Sequence, residues 1–511
     1  MFDIISRLNA DRNLLTLLAL SFLNACGPTS KGPPGDLFFA DARLIDGTGA
    51  PGRVADVRVR DDRILEIGNL RIREGETEVG ATDLVLAPGF IDTHSHHDRG
   101  LTQMGDALAA VSQGITTIIA GQDGGSPFPL SGFFGELETT PVAVNVAAYT
   151  GHNTLRSAVM GGDFRREATL EEIDEMRTLL RRELDAGALG LSTGLEYDPG
   201  IYSATTEVVA LTREAAAVGG RYISHMRSED RAFFKALREL LHIGRETGIP
   251  VQISHMKLAM KSLWGRTDEA LALLNAARAE GVNVTADVYP YEFWQSTMTV
   301  LFPDRNFTRE AATFALEELV PPEGMIIAAF EPEPLYVGTT LAEIAEQRGK
   351  DPVTVYLELL AEADAIDGRE SIIGRSMTTE DIASLLSWPF TNVSSDGGLA
   401  GRHPRGYGAF TRVLAQHVRD RGDFSLETAI YKMTLLAAEN TGLSGRGTIT
   451  EGAFADLVLF DPTTVSDRST PEEPNLPSVG IVGVWVNGKQ VYKDSSTTGN
   501  RPGHVLRRGA P

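Results

Sequence analysis

Apolar residues along this chain gather in short runs that turn polar at one end, and between residues 89 and 440 eight such runs can be drawn. They close in HSHHD (94–98), TTIIAGQDG (116–124), VNVAAYTGH (144–152), GLSTGLEY (190–197), RYISHMRSE (221–229), VQISHMK (251–257), VNVTADVYPY (282–291) and TNVSSDGG (391–398). Between most of them lie stretches with apolar residues at helical spacing, such as LEEIDEMRTLLRRELDAG and TDEALALLNAARAEG. Strands that are nearly continuously apolar and separated by helices are buried on both faces, as in a parallel sheet. Eight such units predict an α/β fold, a (β/α)8 TIM-like barrel over residues 89–440, with its site at the C-terminal strand ends.

The flanks read differently. DLFFADARLIDGTG, DVRVRDDRILEIG and TDLVLAP are short strands with turn signals, and GTITEGAFADLVLFDP and VGIVGVWVNGKQVYKD match them near the end, with a hairpin at Asn487-Gly488. Residues 37–88 and 441–511 are therefore expected to pair into one small β-sandwich domain that brings the two ends of the chain together.

The polar ends of the eight runs carry the candidate chemistry. His94 and His96 stand on the first, Asp123 on the second, His152 on the third, Glu196 on the fourth, His225 on the fifth, His255 on the sixth, Asp287 on the seventh and Asp396 on the eighth. Seven of the ten histidines (94, 96, 97, 152, 225, 255, 403) fall at or just after such ends. In an extended chain residues i and i+2 point the same way, so His94 and His96 can grip one divalent ion. With His225, His255 and Asp396 from other strands, the set suits zinc or another first-row ion with an open position for water. His97 and Asp98 are expected at the rim, His242, His417 and His504 at the surface, and Met226 and Met256 in packing. His152 reads as a substrate or oxyanion contact or as a loop-fixing residue, and Asp287 as either functional or structural.

Composition narrows the partners. A formal charge of −22 and a pI near 4.9, with no basic stripe, exclude a nucleic-acid footprint. The single cysteine, Cys26, excludes internal disulfides and leaves metal binding to histidines and carboxylates. Cys26 follows arginines at 7 and 12 and an apolar run from Leu14 to Leu23, too short to span a bilayer. Residues 1–26 therefore read as an export signal that resembles a bacterial lipoprotein signal, with Cys26 as the lipidated residue, residues 27–36 as linker, and a periplasmic or lipid-anchored location in the envelope.

GFIDTHSHHD, ALGLSTGLEYDPG, ISHMRSE, QISHMK, DVYPY, SSDG, HPRGYGAFTRVL and NRPGHVLR, in this order, resemble the amidohydrolase superfamily and within it the D-aminoacylases, or N-acyl-D-amino-acid deacylases. The resemblance implies a hydrolase with one or two zinc ions that removes the acyl group from N-acyl-D-amino acids and needs no organic cofactor. It implies His94, His96, His225, His255 and Asp396 as the metal site, Asp396 as the proton-transferring residue, and Tyr197, Lys257 and Tyr289 as substrate contacts. Lys257, Tyr289 and Arg405 are available to a free α-carboxylate. The family's bridging cysteine after the second strand is absent; Gly121-Gln122-Asp123-Gly124 stands there, and Asp123 or Glu196 is expected to bridge instead. Ser192 occupies the position where hydantoinases and dihydroorotases carry a carboxylated lysine. Cyclic-amide hydrolysis and dipeptidase activity are the rival enzymatic readings, and a metal-poor exported binding lipoprotein the non-enzymatic one.

Overall fold

The computed structural model describes residues 34–510; Cys26, the export signal and linker residues 27–33 lie outside the described residues. The barrel strands are Phe90–Asp92, Ile115–Ala120, Asn145–Ala148 with its continuation Thr150–Gly151, Gly190–Gly194, Arg221–His225, Val251–Ile253, Val284–Val288 and Thr391–Val393. The first three pair in one parallel sheet and the rest, from Thr150–Gly151 on, in another. The ring closes because Asn145–Ala148 runs on into Thr150–Gly151 and because Ser95 bridges Gly397 in parallel. The fold is thus the α/β barrel with an additional sheet. Gly190 shows how tightly it is drawn: a Cβ there would sit 1.9 Å from the Arg221 carbonyl oxygen, so a side chain would part the fourth and fifth strands.

The strands stop earlier than the sequence pattern predicts. Phe90–Asp92 ends before His94, and Val251–Ile253 ends before His255. His225 and Asp287 stay within their strands, but the other polar termini lie outside them, and at three backbone conformation aims the side chain: Asp123 (φ 53), His255 (φ 33) and Asp396 (φ 49) all lie in the left-handed region. Such residues are sterically costly and persist where surrounding contacts fix them.

The additional sheet has nine strands, combining Leu37–Leu44, Arg53–Arg60, Arg63–Gly68, Thr77–Gly80 and Val85–Pro88 with Leu457–Phe460, Ile481–Val486, Lys489–Lys493 and Ser496–Thr497. It curls back on itself: the Ile64 N–H donates to the Ala453 carbonyl at 2.9 Å and the Ala455 N–H to Asp62 at 2.8 Å, just ahead of Leu457–Phe460. Inside the curl Phe39, Val57, Leu86 and Leu457 pack with Trp485, whose ring meets Phe39 edge-on at 4.9 Å. Asn487 (φ 46) and Gly488 (φ 75) make the tight hairpin turn with both residues left-handed.

One element departs from the alternating pattern. Between the seventh and eighth barrel strands the chain builds a three-stranded antiparallel sheet, Phe293–Ser296, Glu370–Arg375 and Met325–Phe330, with the middle strand formed by the last to appear in sequence. A barrel unit needs only one crossover helix, so this long connection is an insertion. Residues of its first strand line the cavity over the barrel mouth.

Candidate metal centre

Two groups of ligand atoms meet above the C-terminal strand ends, and they share one carboxylate. His94, His96, Asp123 and Asp396 form the first; Asp123, His225 and His255 form the second. Asp123 Oδ2 lies 3.4 Å from His94 Nε2 and 3.3 Å from His96 Nε2, and its Oδ1 lies 3.3 Å from His255 Nε2. Asp396 Oδ1 stands 3.2 Å from His96 Nε2 and 3.6 Å from His94 Nε2. His225 Nδ1 faces His255 Nε2 at 3.0 Å. Both ring nitrogens of His94 and Asp123 Oδ1 are buried without a hydrogen-bond partner. Buried polar atoms left unpaired are costly, and lone pairs converging from imidazoles and carboxylates are what a divalent cation satisfies.

The charges agree with this arrangement. Burial opposes protonation of His96, yet hydrogen bonds that its ring donates to the Asp123 and Asp396 carboxylates push it up to about 9. Burial and Lys257 likewise oppose protonation of His255, but Glu229, Asp123 and Asp396 push it up to about 10. Burial would raise Asp396, but Arg405, His255 and His96 hold it far below the usual carboxylate range, and the Arg405 guanidinium sits 2.6 Å from its Oδ2. Burial lowers His225 to about 4 and raises Glu196 well above its ordinary value, so their 2.9 Å contact is a hydrogen bond between neutral groups.

That contact separates the two candidate bridges. Glu196 joins only His225 and Glu229 in a third group, on the far nitrogen of the His225 ring, and shares no group with His94, His96 or Asp123. The expectation that Glu196 bridges is corrected on this geometry, because its carboxylate reaches one histidine from the loop after the fourth strand and goes no further.

The remaining expected residues divide. Lys257 Nζ lies 2.7 Å from His255 Nδ1 and donates to Glu229 at 2.7 and 2.8 Å; Tyr197 packs on His225 with ring centroids 4.3 Å apart. Tyr289 lies with the Arg405 guanidinium 4.8 Å over its ring, and its hydroxyl is buried without a partner. All four line one cavity with Asp396 and Trp294. His152 does not belong to the cluster. It starts the helix His152–Met160, is fully buried and pairs with Glu207 at 2.7 Å, and Arg156 holds the other carboxylate oxygen at 2.5 Å. His97 is buried rather than at the rim: it hydrogen-bonds Ser95 and burial lowers it to about 3, so it is neutral. His417 is buried too, paired with Asp423 at 2.8 Å, whereas His242 and His504 are exposed. Met226 and Met256 are buried, and Asp287 accepts from Gln252, Ser394 and the His255 N–H at 2.7, 2.7 and 2.8 Å. Glu229 escaped the sequence reading, although its place four residues after His225 was the available signal.

Eight parallel strands carrying a histidine–aspartate cluster at their C-terminal ends define a metallohydrolase-type barrel. The chain belongs to the amidohydrolase family, whose model matches residues 77–320 and 299–492. It is 39% identical over 506 residues to D-aminoacylase of Alcaligenes xylosoxydans xylosoxydans, covering 94% of this chain and 99% of that protein. A D-aminoacylase structure studied for the role of its binuclear metal centre superimposes with TM-score 0.83 at 38% identity, over 93% of this chain and 100% of that one. N-acyl-D-glutamate deacylase of Bordetella bronchiseptica, solved with zinc and a phosphonate mimic of the reaction's tetrahedral intermediate, superimposes with TM-score 0.84 at 36% identity, over 93% and 100%.

Proposed function

We propose that this protein is a zinc-dependent N-acyl-D-amino-acid deacylase that hydrolyses the linear amide between an acyl group and a D-amino acid. The observation that carries the reading is the single carboxylate of Asp123 turned with one oxygen to His94 and His96 and the other to His255, beside a cavity bearing Lys257, Tyr289 and Arg405. His94, His96 and Asp396 would hold one ion and His225 and His255 another, with Asp123 shared. Bound zinc would lower the pKa of water to roughly 7 and polarise the scissile carbonyl.

The chain's own groups do the rest. Asp396 is ionised, so it can take a proton from the attacking water and return it to the leaving nitrogen, as general base and then general acid. Arg405 fixes one oxygen of Asp396 and leaves the other toward His94 and His96. A guanidinium has five N–H donors, so Arg405 keeps others for a substrate carboxylate. The unpartnered Tyr289 hydroxyl and the Lys257 ammonium provide further donors on the same wall. His225, held neutral against Glu196, is ready to ligate without first losing a proton.

The two acylase-like relatives supporting this reading act on linear substrates by their names, which favours the deacylase over hydantoinase, dihydroorotase or dipeptidase activity. The metal-poor binding-protein reading loses support from the complete ligand set. Metal analysis of the purified protein, with a screen of N-acyl-D- and N-acyl-L-amino acids, dipeptides and hydantoins, tests it. Hydrolysis of hydantoins but not N-acyl-D-amino acids would overturn it. As its setting we propose the bacterial envelope, with Cys26 lipidated; palmitate labelling lost in Cys26→Ser is the expected result, and equal labelling would refute it. No helix among the described residues is long and apolar enough to cross a membrane.

A further inference from the structure

Two cavities meet at Asp396, and only one belongs to the amino-acid side of the substrate. The inner one holds Lys257 and Tyr289, the donors for a free α-carboxylate, and is closed by apolar Val300, Leu301 and Leu319. The outer one, wider and open to solvent, with about 680 Å³ against about 40 Å³ for the inner one, reaches the same Asp396 and Arg405 from the side of His96 and Asp123. A planar amide lying across the metal centre with its amino-acid half in the inner cavity must extend its acyl half into the outer one. An acetyl group would fill little of it.

The outer walls are set back by missing side chains. At Gly401 a Cβ would meet nothing within 4 Å, and at Gly125 and Gly398 the nearest atoms stand 3.7 and 3.6 Å away. The charged groups on these walls are unequal in freedom. Asp123 and Asp396 face the histidines, and the half-buried Glu370 accepts the Met298 N–H at 2.5 Å. Arg99 and Arg369 are exposed, line the same space, and neither forms an ion pair with any described residue. In a chain of net charge −22, two free guanidinium groups at the mouth of the site mark where an anion is received.

We propose that the acyl group of the natural substrate is extended and carries a negative charge, received by Arg99 and Arg369 in the outer chamber. This rests on the deacylase reading. The chemistry would be met by a dicarboxylic acyl chain or by a peptidyl group with an acidic residue, whose carboxylate accepts from the two guanidinium groups without any covalent step.

The test compares one D-amino acid bearing N-acetyl, N-hexanoyl, N-glutaryl or N-acetyl-L-glutamyl groups, on the metal-loaded full chain. At low salt the anionic acyl groups should exceed N-hexanoyl in kcat/KM by about threefold to tenfold, the range for two solvent-exposed ion pairs, and the gap should narrow as salt rises. Preference for glutaryl over glutamyl, or the reverse, separates the two sources of the charge. Arg99→Gln combined with Arg369→Gln should bring the glutaryl-to-hexanoyl ratio close to one. Gly401→Trp should penalise both long acyl groups relative to N-acetyl. Equal rates for hexanoyl and glutaryl in the unaltered protein, or rejection of both beside brisk N-acetyl hydrolysis, would overturn the inference and leave the deacylase reading intact. Hydrolysis of none of the four would overturn both.

Discussion

Removing Asp123 should cost the protein one ion, and removing Glu196 should cost it none. With Asp123→Ala the first group keeps three ligands, His94, His96 and Asp396, while the second keeps only His225 and His255. Three protein ligands with an open position still make a zinc site of the catalytic kind, but two do not. Loss of an outer-shell partner alone weakens metal affinity by about 10–100-fold, and Asp123 faces three imidazoles at 3.3–3.4 Å, so the second ion should fall further than that and dialyse away. Glu196→Ala deletes a hydrogen bond to the outward nitrogen of His225, leaving both ligand groups intact. The assay is metal content by inductively coupled plasma mass spectrometry after exhaustive dialysis, read beside kcat/KM on an N-acyl-D-amino acid. Asp123→Ala should fall by about one equivalent and lose most turnover, and Asp123→Cys should recover part of both, since a thiolate from that loop meets the same histidines. Two ions retained in Asp123→Ala, or one lost from Glu196→Ala, would refute the assignment of the shared ligand.

Asp396→Asn keeps the shape but cannot accept a proton, so kcat should fall by about 10²–10⁴ with most metal retained; unchanged turnover would remove Asp396 from proton transfer. Lys257→Met leaves Glu229 without its ammonium partner and the cavity without a cation, so KM for N-acyl-D-amino acids should rise much more than kcat falls, as steady-state kinetics would show. Burial raises Glu370 to about 7, against hydrogen bonds from Met298 and Thr299 that lower it. A carboxyl raised on folding stabilises below its unfolded value near 4.5 and loses that contribution as pH climbs through about 7. Glu370→Gln should therefore raise the thermal midpoint relative to the unaltered protein at pH 8 and not at pH 4; equal differences at both would contradict the burial argument.

The eight barrel strands were legible because each is mostly buried and rich in apolar residues between stretches of helical spacing, and the candidate ligands because they cluster at one end of those strands. The parity rule for His94 and His96 held although both lie beyond the strand, since Ser95 still bridges Gly397 and keeps the chain extended there. What escaped has a physical reason in each case. The inserted sheet is antiparallel and only partly buried, and although Met325–Phe330 is an apolar run, its partners Phe293–Ser296 and Glu370–Arg375 mix polar and apolar residues and lie far from it in sequence, so the pairing does not show. His152 carries the same signal as a ligand, a histidine after an apolar run, but it opens a helix whose first turn faces Glu207 and Arg156. His417 falls at helical spacing in a polar-looking segment, and only tertiary contact with Asp423 and stacking on Phe424 buries it.

The least legible feature is backbone shape, and it is the one that builds the cluster. Asp123, His255 and Asp396 each place a non-glycine residue at positive φ, at about 1–2 kcal/mol apiece. Glycine would relieve that cost at all three positions and would also delete the ligand. For His255 the means of retention is visible. Asp287 accepts the His255 N–H at 2.8 Å on its side chain while its own carbonyl accepts the Met256 N–H at 2.8 Å, so two successive amides are pinned to one residue of the neighbouring strand. Gln252 and Ser394 in turn fix the Asp287 carboxylate from the strands on both sides. The histidine is aimed at Asp123 by this clamp and not by strand geometry. Asp287 therefore acts on the metal centre through the backbone of His255, which unites the structural and functional readings of that residue.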